Sequence, residues 1–588
     1  MRALAGLALL ALAGCAAPEP VEVGPDEPGP RDLLIINARF VGLEDDALLV
    51  SSQPSSFRAD AGTLAPRRVA PGEWRYGGLR SVVAIGVEDK VRALAGREVD
   101  VVDAERGLVL PGFHDAHSHA LAGGLASEEA DLTGARTLQD ALDAVRAWAE
   151  AHPDAPWVVG RGWSYDLVPR GEFPTREMLD RVVPDRPALL EAYDGHSSWA
   201  NTKALEVAGV GPDTEDPEDG RIVREADGKT PQGTLLEGAA ALVGRHVPPP
   251  DRATQLAALE RALDSYLRLG VTSVQALCGS LDEVGLYEEL LARGRLPVRV
   301  VLALPLETPI ERVVEARDRL ARERPDRLRL GFLKGFLDGV IESKTAYMLE
   351  PYAGTTDERG APLYTPERLT ELVSAAHAAG VPVALHAVGD GAVRLALDTF
   401  EAVAAAHPEQ KVRHRIEHIE VVHPDDLPRF RALDVVASMQ PYHAVPSDSP
   451  DPDDVWSANL GPERLTRAFA WRALLDAGAP LAFGSDWPVF THEPLRGLAV
   501  AATRKNERGL PADGWQAHQA ITVAEALRAY TEGGAYAVGD EGRLGALRPG
   551  ARADLVILSR DVRPEDPPTL WTGTARVVIV DGRVVVGP

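Results

Sequence analysis

Three histidines and an aspartate stand within six positions in PGFHDAHSHA, residues 111–120. They follow the apolar run GLVLPGF, which reads as a strand. Residues two apart on a strand point the same way, so the imidazoles of His117 and His119 can meet one ion. Four other segments carry ligand-type residues just after short apolar runs: Lys334 in LKGFLDG, His386 in ALHAVGDG, His418 in RIEHIE and Asp486 in FGSDWP. Each alone reads as a polar residue satisfied at a strand end. All five at one end of one sheet are hard to explain that way. Neutral imidazole suits zinc-like cations. A bound divalent cation lowers the pKa of its water to about 7 and polarises a carbonyl oxygen, as amide or ester hydrolysis demands. Asp486 is suited to take the proton from that water and pass it to a leaving group.

Those residues need a frame. Eight candidate strands run through the middle of the chain: GLVLPGF, VTSVQAL, VRVVLAL, RLRLGFLKG, VPVALHA, RHRIEHI, DVVASMQ and APLAFGSD. Amphipathic helices alternate with them, among them DRATQLAALERALDSYLRLG, PERLTELVSAAHAAG and ERLTRAFAWRALLDAGA, each ending near a glycine. Alternating helices and buried strands predict an α/β fold with a parallel sheet. Eight strands close a (β/α)8 TIM-like barrel, expected over residues 108–540, with function at the C-terminal strand ends. An open doubly wound sheet is the alternative. The count makes about 121–255 an insertion after the first strand, with its own apolar runs WVVGRG and PALLEAY. Short strand-like runs (DLLIINARFV, SVVAIGV, KVRAL, VDVVDA) lie near one end of the chain, and ADLVILS and ARVVIVDGRVVV near the other. They predict a composite β-sandwich domain from residues 32–107 and 541–588, with Asp581-Gly582 as a hairpin turn.

At 588 residues the chain exceeds one ordinary domain, and 45% hydrophobic residues supply a core. A formal charge of -26 without a basic stripe argues against nucleic acid as a partner. Two cysteines, Cys15 and Cys278, cannot build a disulfide framework or a thiolate zinc cluster. MRALAGLALLALAGC reads as a signal peptide over residues 1–15, too short to span a bilayer. Leu12-Ala13-Gly14-Cys15 resembles the lipobox of bacterial lipoproteins, which implies lipidation at Cys15 and anchoring to a membrane. Residues 16–31 are then a flexible, Pro-rich acidic tether. Ala16 after the cysteine implies a place in the cell envelope, on the outer membrane facing the periplasm.

PGFHDAHSH, ALHAVGDGAV, RIEHIE, SMQPYH and GSDWPV resemble the signatures of the amidohydrolase superfamily, in particular amidohydrolase family 3, the YtcJ-like metal-dependent hydrolases. The resemblance runs from about residue 32 onward. It implies one or two divalent ions, with zinc expected and iron, manganese or nickel also fitting. His117 and His119 would hold one ion, His386 and His418 the other, and Asp486 would bind metal and act as catalytic base. Lys334 matches a lysine that related enzymes carbamylate, and a carbamate can bridge two cations. The other reading pairs Lys334 with Asp338 or Glu342 and leaves one ion. Lys344 stands where many relatives carry a small residue. Asp115 is expected to support the site, and the resemblance puts His443 near the substrate. His196 and Trp163 either shape the substrate pocket or belong to the interior of the insertion. The expected reaction is hydrolysis of a non-peptide carbon–nitrogen bond in a small molecule: an N-acyl or N-formyl amide, a cyclic amide, a urea or a carbamate. The alternatives are an ester or lactone hydrolase with the same centre, and an inactive lipid-anchored binding protein.

Overall fold

The apolar runs of the central chain form one eight-stranded parallel sheet in the computed structural model, which describes residues 32–41, 47–51, 80–95, 99–277, 279–322, 325–446, 449 and 454–587. The expected signal peptide, Cys15, the tether and Cys278 lie outside the described residues. The strands are β1 (Phe113–Ser118), β2 (Val271–Leu277), β3 (Arg299–Pro305), β4 (Leu328–Phe336), β5 (Val383–Ala387), β6 (Arg415–His418), β7 (Val436–Met439) and β8 (Leu481–Phe483). Each pairs in parallel with the next. β1 is buried at all six positions and β2 at all seven, as strands covered on both faces must be. Beyond β8 the chain returns to β1. Asp486 donates its backbone N–H to the His117 carbonyl at 2.7 Å, and His119 donates to the Trp487 carbonyl at 2.9 Å. The sheet is thus a nearly closed barrel, with the seam at the end that carries the histidines.

Local chemistry sets the helix limits. Arg252–Arg268 starts where the Asp251 side chain accepts from the Thr254 N–H, and Pro366–Ala378 where the Thr365 hydroxyl accepts from the Arg368 N–H. Gly270 and Gly380, at φ of 81° and 68°, turn the chain into the next strand.

Three expected elements differ. GLVLPGF divides: Val109–Pro111 pairs with Leu555–Leu558, and the first barrel strand begins at Phe113. KVRAL is not a strand: Lys90–Arg92 end a short helix, Glu88–Arg92, with acids in its first turn and an Arg92–Glu88 ion pair, and Val91 is its one buried residue. ERLTRAFAWRALLDAGA is two helices, Pro462–Leu465 and Trp471–Asp476, because Phe469 leaves the helix to donate its N–H to the Glu420 carbonyl at 2.8 Å.

The chain ends supply two four-stranded sheets. One contains Asp32–Ile36, Ala47–Ser51, Ser81–Gly86 and Val99–Asp103; the other contains Val109–Pro111, Leu555–Leu558, Ala575–Val580 and Arg583–Val586. Leu33, Ile35, Leu48 and Val50 share a core with Leu555, Ile557, Val577 and Ile579. Asp581 and Gly582, at φ of 51° and 68°, make the tight hairpin between the last two strands. Buried Arg299 of β3 pairs with Asp554 (2.5 Å) and Asp581, and Arg327 also pairs with Asp581, which ties this layer to the barrel. Between β1 and β2 the chain forms a separate six-stranded sheet, from Ala130–Asp131 to Pro231–Glu237, and Asp131 and Arg161 from it line a cavity together with the strand-end residues His386 and His418.

Candidate metal centre

The parallel registers bring the strand ends level: Phe336 of β4 lies beside His386 of β5, and Ala387 beside His418 of β6. At this level one carboxylate meets two groups of imidazoles. Asp486 Oδ1 lies 3.2 Å from both His117 Nε2 and His119 Nε2. Its Oδ2 lies 3.6 Å from His443 Nε2 and 3.9 Å from His418 Nδ1. His117, His119 and Asp486 offer three ligand atoms within 4.8 Å of one another, and so do His418, His443 and Asp486. His386 lies beside them, its ring 4.4 Å from that of His418, with Nε2 bonded to the Gly339 carbonyl at 3.1 Å.

The site tests well for a cation. His117 donates Nδ1–H to Glu417 Oε2 at 2.6 Å, which fixes the tautomer and leaves Nε2 as the ligand atom. That Nε2, His443 Nε2 and Lys334 Nζ are buried with no hydrogen-bond partner. Burial keeps His119, His386, His418 and His443 neutral, the state that ligates, with His443 pushed down to about 4. At His117 burial opposes the charged form, but Asp486 and Glu417 outweigh it and raise the pKa. Burial also opposes charge on Asp486, yet His117, His119 and His418 hold its carboxyl well below the usual range. Asp486 sits at φ 58° and His418 at φ 71°, backbone conformations that non-glycine residues rarely adopt.

Lys334 makes no ion pair with Asp338 or Glu342. Asp338 instead accepts the backbone N–H groups of Tyr347, Val388 and Gly389, and Glu342 accepts from the Tyr193 hydroxyl. Burial lowers the Lys334 amine to about 8. Asp115 accepts the Ser485 N–H at 2.8 Å and the Ser485 hydroxyl, and so ties β1 to the segment that bears Asp486.

Residues 100–586 match the Amidohydrolase family. The chain belongs to that family. Among its relatives, the chain is 33% identical to Protein LONG AFTER FAR-RED 3 of Arabidopsis thaliana, over 81% of this chain and 82% of that one. It is 30% identical to the putative amidohydrolase YtcJ of Bacillus subtilis (83% and 90%) and 29% identical to the N-substituted formamide deformylase of Arthrobacter pascens (82% and 88%). The fold is that of uncharacterised metal-dependent hydrolases from Pyrococcus horikoshii and Pyrococcus furiosus. Their TM-scores are 0.66 and 0.65 at 23% and 25% identity, over 91% of this chain and 98% and 100% of theirs. The protein is thus a metal-dependent amidohydrolase, a hydrolase of carbon–nitrogen bonds.

Two cavities open from the amidohydrolase centre. One, of about 790 Å³, is walled by aromatic side chains and includes His196, His386, His418, His443 and Asp486. The other, of about 620 Å³, includes His117, His119, Lys334 and also His196. His196 therefore faces both. Its Nδ1 lies 2.7 Å from Glu237 Oε2, and although burial opposes its charge, Glu237 raises its pKa to about 9. Trp163 lines neither cavity. It is fully buried in the core of the insertion, donates Nε1–H to the Leu190 carbonyl at 2.9 Å, and packs behind Tyr165, which does reach the cavity. The expected pocket contact thus falls to Tyr165.

Glu417 was missed in the sequence. Its signal is a carboxylate set between Ile416 and His418 in a strand that is buried throughout.

Proposed function

We propose that this amidohydrolase cleaves a non-peptide carbon–nitrogen bond in a small molecule: an N-acyl or N-formyl amide, a cyclic amide, a urea or a carbamate. The observation that carries this reading is the reach of Asp486, one carboxylate whose two oxygens meet His117 and His119 on one side and His418 and His443 on the other. Its likeness to a formamide deformylase supports an amide over an ester. One divalent ion would be held by His117, His119 and Asp486, and a second by His386 and His418, with zinc fitting the nitrogen-rich donor set. Such an ion lowers the pKa of water and polarises the scissile carbonyl.

The chain's own residues do the rest. Asp486 accepts the proton of the attacking water and hands it to the leaving nitrogen. Glu417 holds the His117 ring in place through Nδ1. His443 Nε2, buried and without a partner, offers a contact to the substrate or its oxyanion. His196, charged by Glu237, donates toward substrate oxygen from the wall shared by both cavities. Addition of carbon dioxide to the Lys334 amine, with loss of a proton, would give a carbamate able to hold both ions, and the buried amine without a hydrogen-bond partner supports that modification. Cys15 anchors the protein by lipid to the outer membrane facing the periplasm. No helix among the described residues is long and apolar enough to cross a membrane.

The test is to assay protein lacking residues 1–15 against N-acylated amines, cyclic amides and esters, with metal measured in the same preparation. Release of free amine supports the proposal. Turnover of esters alone, or full metal content with no turnover of any substrate, overturns it. Extraction of a Cys15→Ser variant from the membrane fraction without detergent would support the anchor, and retention there would overturn it.

A further inference from the structure

The aromatic cavity beside the centre holds more acids than cations: besides Arg161, the cationic group on its wall is His196, which Glu237 already pairs. Asp194, Glu342 and Glu420 all line it, and none forms an ion pair among the described residues. Each has some neutral support. Glu342 accepts from the Tyr193 hydroxyl, Glu420 Oε2 accepts Trp456 Nε1–H at 2.6 Å, and Asp194 Oδ1 accepts the His196 N–H at 2.9 Å. Asp194 Oδ2 is buried with no partner. Asp131, Asp166 and Asp454 extend the same wall. The one arginine there, Arg161, donates Nη1–H to the Pro488 carbonyl at 2.5 Å. Burial, and then the neighbouring carboxylates of Glu420 and Asp194, push the Glu342 carboxyl well up.

The surfaces between these acids are aromatic faces and edges: Tyr193, Trp456, Phe469, Phe490 and Trp515. Tyr193 and Phe490 lie 5.7 Å apart, and Trp456 stacks on Phe469 at 5.6 Å. Trp515 is only 6% exposed, and its Nε1–H has no acceptor. A buried donor and a buried carboxylate oxygen, both unpaired on one cavity wall, mark a lining that a bound molecule completes. A metal ion does not fit here. Among the described residues Asp194, Glu342 and Glu420 belong to no set of three ligand atoms close enough to share one. A protonated amine does fit, because it supplies several donors to spread carboxylates and is attracted to aromatic faces.

We propose that the substrate of this amidohydrolase carries a protonated amine on an aromatic or apolar body, held in the 790 Å³ cavity by Glu342, Glu420 and Asp194. This rests on the hydrolase reading for the reacting group but is read separately from it, because binding of a fragment needs no turnover. An anionic substrate, read by Arg161, is the rival.

Calorimetry on the metal-loaded protein at pH 7 compares three probes of one shape: 2-phenylethylamine, 2-phenylethanol and 3-phenylpropanoate. The amine should bind at least tenfold tighter than the alcohol, and the acid should not bind. In the Glu342→Gln, Glu420→Gln double variant the amine-to-alcohol ratio should fall toward one, and Glu342→Asp, which keeps a carboxyl group able to ionise beside an ammonium and pair with it, should retain most of it. Equal binding of amine and alcohol by the wild type, or tighter binding of the acid, overturns the proposal even if the variants fail to fold. The N-formyl derivatives of 1,4-diaminobutane and 1-butylamine then read turnover. If neither is cleaved while the amine still binds, the hydrolase reading suffers and the cation site stands.

Discussion

Asp486 and His117 are joined twice: the Asp486 N–H donates to the His117 carbonyl at 2.7 Å, and His117 Nε2 lies 3.2 Å from Asp486 Oδ1. The first contact is backbone and closes the barrel. The second is side chain and assembles the site. A change to the Asp486 side chain can therefore act on chemistry while the seam stays shut.

Asp486→Asn tests that separation. The amide keeps the backbone bond and much of the shape but accepts no proton. We expect kcat to fall by about 10²–10⁴-fold with most of the metal retained, as measured by turnover and by elemental analysis of one sample. Full activity would remove Asp486 from its role.

Glu417 acts through His117. Glu417→Gln replaces the ion-paired acceptor of the His117 Nδ1–H with an amide, and metal affinity should drop by about 10–100-fold. Competition with a chelator measures this directly, and unchanged affinity would show that the contact is only structural.

The same residue sets a pH dependence. Burial works against its charge, but Arg415 and then His117 bring the folded carboxyl down to about 2 from an ordinary 4.5. A depressed acid stabilises the fold above its unfolded pKa and loses that stabilisation as pH falls toward the folded value. The gap corresponds to about 3 kcal/mol, present above pH ~5 and lost between about pH 4.5 and 2. The difference in melting temperature between metal-free wild type and Glu417→Gln should therefore shrink across that window. A constant difference would contradict the assignment.

Lys334 separates a two-ion centre from a one-ion centre. Lys334→Ala should bind one ion where the wild type binds two, and a short carboxylic acid added to the variant should restore part of the activity. Two ions in the variant would exclude a bridging role.

Asp581 tests the joint between barrel and end sheets. Asp581→Ala leaves Arg299 and Arg327 with less compensation in a buried setting, and should cost about 3–5 kcal/mol. Urea unfolding measures it, and a shift below 1 kcal/mol would assign the joint to apolar packing alone.

Much of this was legible along the chain. Buried parallel strands announce themselves as short apolar runs, and the strand-end residues His386, His418 and Asp486 follow from where those runs stop. The Asp581-Gly582 turn was legible because two successive residues there need positive φ. What stayed hidden depends on partners far away in sequence. Glu417 matters because His117, 300 positions earlier, lies against it. The break in ERLTRAFAWRALLDAGA comes from a bond to Glu420 that no helical periodicity reveals. Trp163 was ambiguous because an indole serves equally well in a core or a pocket wall, and only the Leu190 carbonyl decides between them.

The seam also sets a schedule for the newborn polypeptide. His119 emerges early, whereas Asp486 and the Trp487 carbonyl that receives its N–H come more than three hundred residues later. Until that late stretch has left the ribosome, the early histidines lack the segment that closes the barrel on their open side and the carboxylate that completes their cage. Ion capture must therefore follow synthesis of nearly the whole chain, and a product truncated before residue 486 would leave its imidazoles idle.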